Sequence, residues 1–169
     1  MKGSLFVAIF TVFIGGFFAT PLRADDTLAR FKGGIGVHPV SNVSGTAVTQ
    51  NIVRGVTPAG QLWVIDDLDA RVRMNGDIKI QGKGLILAGG NNAGRATGQM
   101  VFATLICETA TPFTERNTSS AGVPLTDNGE FKIDDVLTPL PAGECASPML
   151  LIRNATGGTW FAVGILNRD

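Results

Sequence analysis

The chain has 169 residues with 14 basic and 14 acidic side chains, one histidine and two cysteines. That length builds one ordinary domain. A balanced charge without any basic run interleaved with aromatics gives no footprint for nucleic acid, and one His with two distant Cys makes no zinc spacing.

The chain opens MKGSLFVAIFTVFIGGFFATPLRA, where Lys2 precedes an uncharged run from Gly3 to Leu22 and Ala24 precedes Asp25 and Asp26. This is the layout of a signal peptide over residues 1–24, cut after Ala24. The apolar run approaches bilayer-spanning length. Pro21, Arg23 and the small residue at a cleavage-like position favour removal, so no retained membrane anchor is expected. Residues 25–169 then form a single domain with twelve basic and fourteen acidic side chains, a formal charge of −2. The expected location is secreted or periplasmic.

Strand candidates begin with LARFKGGIGV, TAVTQNIVRGV and QLWVI. In LDARVRM, Leu68, Ala70, Val72 and Met74 fall on one side and Asp69, Arg71 and Arg73 on the other, a period of two. DIKIQGKGLIL alternates likewise, and Asn75-Gly76 between the runs predicts a hairpin over Leu68 to Leu87 closed by a type I′ turn. QMVFATLIC follows. VPLTDNGEFKIDDVL writes nearly the same string again, so NGDIKI at 75–80 and NGEFKI at 128–133 read as two copies of one hairpin element. A third hairpin is expected where MLLIRN and TWFAVGIL flank ATGG. With 22 Gly and 8 Pro, no window sustains a helical period.

The segments Ala88 to Gly98 and Glu108 to Gly122 read as long surface loops, the places where a β scaffold usually carries recognition. Strands at this spacing predict an all-β fold, a single antiparallel β-sandwich of immunoglobulin-like or related Greek-key type. Cys107 and Cys145 are expected to form a disulfide, since an even count in an exported chain argues for a bridge. The chain-entropy model gives it roughly 4 kcal/mol.

Chemistry is sparse. His38 is the sole imidazole, stands before Pro39, and is far from any nucleophile elbow, which the chain lacks. Ile65-Asp66-Asp67 and Ile133-Asp134-Asp135 repeat a paired-acid string, with Asp69 nearby. Two such acids could serve a glycosidase if held roughly 5–9 Å apart. Adjacent Asp residues on a strand point to opposite faces, however, and the processed chain offers few aromatic platforms. Asp66, Asp67, Asp69, Asp134 and Asp135 could instead gather round Ca²⁺ if the two strings lie together. An EF-hand is ruled out, because the twelfth position counted from Asp127 is Thr138. Asn-x-Ser/Thr triplets begin at Asn42, Asn117 and Asn154, acceptors only in a eukaryotic secretory pathway.

RFKGGIGVHPVSNVSGTA, Arg30 to Ala47, resembles the opening of chordin-type (CHRD) domains in Gly34, Val37, Pro39, Val40, Gly45 and Ala47. The resemblance implies a secreted immunoglobulin-like or related β fold without established catalysis, and it transfers no functional residue.

The expected function is that of an exported, non-catalytic binding or envelope-associated module for a protein or glycan ligand. A Ca²⁺-stabilised adhesion domain built on the Asp clusters and a small secreted hydrolase are the other two classes.

Overall fold

A computed structural model describes residues 26–168, so the predicted leader lies outside the described residues. Thirteen strands follow in order: Thr27–Gly36 (β1), Val40–Ser44 (β2), Ala47–Gln50 (β3), Trp63–Val64 (β4), Asp67–Arg73 (β5), Asp77–Lys83 (β6) and Ile86–Leu87 (β7). Then come Met100–Ile106 (β8), Arg116–Asn117 (β9), Val123–Pro124 (β10), Phe131–Val136 (β11), Met149–Asn154 (β12) and Trp160–Asn167 (β13). Among the described residues there is no helix.

The fold is all-β and antiparallel, but it is not the expected sandwich. One hydrogen-bonded ladder runs β10-β8-β12-β13-β1-β5-β6-β11, curling into a nearly closed eight-strand barrel. A sandwich needs two sheets; here the first long strand, β1, joins both halves by pairing with β13 and β5. Register shifts at Phe31/Gly34, Thr27/Ala29 and Ile152/Arg153 bend the strands, because an extra residue in one strand sharpens local twist. Alternation looks the same in both architectures, so periodicity alone cannot separate them.

The predicted Leu68 to Leu87 hairpin is β5 and β6, with Leu68, Ala70, Val72, Ile78 and Ile80 buried. It ends earlier than expected: Gly84 takes φ +67°, and Ile86–Leu87 leaves to pair with Trp63–Val64. Its turn also differs. The Gly76 amide donates to Arg73 O at 3.0 Å and Gly76, not Asn75, has positive φ, which is a three-residue turn rather than type I′.

The two repeated strings are neighbours in the sheet. β6 and β11 pair antiparallel with Ile80 opposite Ile133, so the copies are related by a local two-fold through that pair. Their Asn-Gly turns therefore sit at opposite ends of the barrel. Both Ile side chains point inward with Ile78 and Phe131, each fully buried aliphatic chain contributing about 1.5–3 kcal/mol before entropy is counted.

The β12–β13 hairpin forms as predicted. Every residue of Val101–Ile106 is buried. Val101, Ala103 and Leu105 form one alternate set; the other meets a cover of loops. Thr104 bonds Asn117 at 2.6 Å, and Arg54 donates to Ile106 O and Ser147 O at 3.0 and 2.6 Å. Trp160 Nε1 bonds Asn51 O, and Trp63 stacks on Phe161 with centroids 4.1 Å apart. Cys107 and Cys145 form the expected disulfide. Outside this compact body, β2 and β3 make an arm on which Ser41 to Gln50 are all exposed.

Candidate functional site: the open seam of the barrel

The ladder's two ends, β10 and β11, are consecutive in sequence yet do not pair. Between them the second Asn-Gly turn starts normally: Gly129 N donates to Thr126 O at 2.9 Å, and Thr126 N to Glu130 O at 3.0 Å. Extending that register by two residues sets Pro124 opposite Lys132. Proline has no N–H to give at that rung, so the predicted second hairpin unzips after its first pair. β10 turns to β8, with Val123 opposite Val101, and β11 turns to β6.

The consequence is an exposed ladder edge. Leu137 N donates to Gly76 O at 2.9 Å, in continuous register with the β6–β11 pairs. Alternate residues Phe131, Ile133 and Asp135 therefore bond to β6, whereas the amides and carbonyls of Lys132 and Asp134 face the seam. Further along, the gap is shut: Asn117 and Thr138 exchange two bonds of 2.8 Å, and Ser119 N donates to Asp135 Oδ2 at 2.7 Å. What remains is an open groove of about 620 Å³ lined by Val123, Pro124, Thr126, Phe131, Gln81 and Gly82, with Lys83, Lys132 and Glu130 at its margin. Its floor exists because Gly82 has no side chain; a Cβ there would lie 2.1 Å from the Phe131 ring.

The residues singled out from the sequence lie elsewhere. Asp66 and Asp67 sit where β5 begins, with Asp67 opposite Lys83, and the Asp66 carboxylate packs against Gly84. Asp69 pairs with Lys32 and Asp134 with Lys79, each at 2.7 Å. Asp135 accepts amides of Ser119 and Val136. β6 stands between the two IDD strings, and among the described residues no group of three or more His, Cys, Asp or Glu side chains could hold a metal ion. Lys79 holds the Asp134 carboxyl below its ordinary range through their hydrogen bond, and the Asp69 hydrogen bond raises Lys32. His38 Nδ1 lies 2.7 Å from Val40 O, exposed. Of the three Asn triplets, Asn42 is exposed on the arm, Asn117 is bonded into the wall and Asn154 is buried.

Both predicted recognition loops are tied down. Ala88 to Gly98 closes one barrel end, where Ala96 is buried and its amide reaches Asp127 O. Glu108 to Gly122 carries β9 and two ion pairs, Arg116–Glu108 at 2.9 Å and Arg153–Glu115 at 2.5 Å. The Arg116 hydrogen bond, aided by the Thr114 amide, holds the Glu108 carboxyl at about 2 against an ordinary 4.5. A depressed folded value stabilises above the unfolded one and is lost as pH falls towards about 2. Glu108→Gln should therefore melt below the parent at neutral pH. The two melting temperatures should converge as the pH approaches that lower value.

The seam was missed at sequence level, although Pro124, four residues before Asn128 in an apparent hairpin, was its signal. Comparison with family models, with curated proteins and with solved structures found no match to this chain.

Proposed function

We propose that this protein is an exported, non-catalytic binding module that takes up an extended stretch of another polypeptide at the seam by strand addition. Export rests on the leader pattern and on a disulfide that persists in oxidising compartments. The observation that carries the binding role is the unzipped rung at Pro124 and Lys132. An unpaired edge beside an apolar groove takes main-chain bonds from an added strand and buries its alternate side chains.

Pro124→Val is the direct test, since valine restores the missing N–H and lets β10 close on β11. The variant should gain about 1 kcal/mol of stability, slow hydrogen exchange at the Lys132 and Asp134 amides, and lose affinity for peptides selected on the parent from a displayed library. Peptides that bind parent and variant equally, or parent amides already protected without ligand, would refute the reading.

A further inference from the structure

Three cations and two acids lie on the outer surface around the seam, and their order along β11 is specific. From the turn onwards, Glu130, Lys132 and Asp134 face outward, alternating with the inward Phe131 and Ile133. Asp134 is already engaged by Lys79 at 2.7 Å. Lys132 is opposite Gln81, which makes Lys83 its diagonal neighbour on the same face, within reach of a long side chain. Neither Lys83 nor Lys132 has an ion pair among the described residues. Lys83 has acids on both sides, opposite Asp67 on β5 and level with Glu130 on β11, so Lys132 is the ammonium that stands over the open main-chain edge at the lip of the groove.

Resting on the strand-addition reading, we infer that the segment taken up at the seam carries an acidic side chain flanked by apolar ones. A strand laid beside β11 alternates as its host does. Its residue level with Lys132 points outward, where a carboxylate meets that ammonium. Its two neighbours point inward, where only apolar side chains fit against Phe131 and Val123. One step further, Thr126 already fills the place level with Glu130, and Asp134 disfavours a second acid at its own level. The preferred core is three residues long, a single acid between two apolar side chains. That pattern reads the same in both directions, so parallel and antiparallel entry obey it equally.

The test uses capped, fluorescein-labelled heptapeptides of serine and threonine with two valines flanking a central glutamate, glutamine or lysine. Anisotropy titrations of the purified protein at low salt should rank glutamate above lysine by about tenfold, and the gap should shrink as salt screens exposed charges. Lys132→Glu should invert the ranking; the side chain is exposed, and an unchanged melting temperature verifies that the variant folds. Methylating the backbone nitrogens of the glutamate peptide should abolish binding. If glutamate and lysine peptides bind alike while protecting the Lys132 and Asp134 amides, strand addition stands and the acidic preference is wrong. If no peptide of any charge binds, strand addition itself falls and takes the preference with it.

Discussion

Alanine at Gly129 should lower the melting temperature by roughly 10 °C, and alanine at Gly76 by only a few degrees, although the two glycines hold the same place in the same repeated string. Both have positive φ, 79° and 87°, where an alanine costs roughly 1–2 kcal/mol. The neighbours differ. A Cβ on Gly129 would lie 2.4 Å from the backbone nitrogen and 2.5 Å from the carbonyl oxygen of Leu85. Leu85 is fully buried, and its amide is bonded to Gly129 O at 3.1 Å. Backbone held that way cannot retreat, so overpacking adds about 1–3 kcal/mol more. On Gly76 the added carbon would meet Leu140 Cδ2 at 2.6 Å, the tip of a side chain 58% exposed that can rotate away. Gly76→Asn should recover part of even that smaller loss, because asparagine tolerates the left-handed region. Equal melting shifts for the two alanines would mean that Leu85 does not pack against the second turn.

Replacing Cys107 and Cys145 together by alanine should cost about 4 kcal/mol. The bridge spans a sequence separation of 38 and fastens the end of β8 to the approach of β12. Within the loop it closes, β9 is paired and Leu137 is buried, but Leu140, Ala142, Gly143 and Glu144 are not buried by the barrel, apart from Pro141 beside them. Without the bridge this segment is held by few contacts, so the double variant should be cut there by a protease that leaves the oxidised parent intact. An unreduced sample that takes up alkylating reagent at both cysteines would show the bridge absent, and a melting temperature indifferent to reductant would show it without energetic consequence.

Strand existence was legible from alternation because sheets with a wet outer face write it plainly, as in Leu68 to Arg73 and Asp77 to Lys83. Architecture was not. Whether successive ladders join into one closed surface depends on β1 finding β13, a pairing between opposite ends of the chain that no local pattern announces. β8 is buried on both sides, so its sequence is an apolar run, broken only by Thr104, that shows no period of two. The paired acids drew attention because chemistry favours carboxylates in twos, yet Asp69 and Asp134 are partners of lysines across neighbouring strands. The seam was written in one residue. Pro124 contradicts a hairpin that everything around it supports, and a local rule broken inside an otherwise consistent element is where function is best sought.

The place of β1 between β5 and β13 also constrains the order of events as the chain is made. Strands β1, β5, β6 and β11 can assemble early, and β8 can meet β12, but before β13 the two groups are linked by backbone pairing, among the described residues, only through the Asn117–Thr138 bridge and the Thr126–Glu130 turn. A nascent polypeptide released amino end first must therefore wait for Trp160–Asn167 before the wall becomes continuous, with long-range closure setting the pace. Stopping synthesis just short of Trp160 should yield two ribbons linked only at the ends of the seam, with the edges of β1 and β12 unpaired and prone to aggregate. The arrival of β13 between β12 and β1 is thus what commits the barrel to its shape.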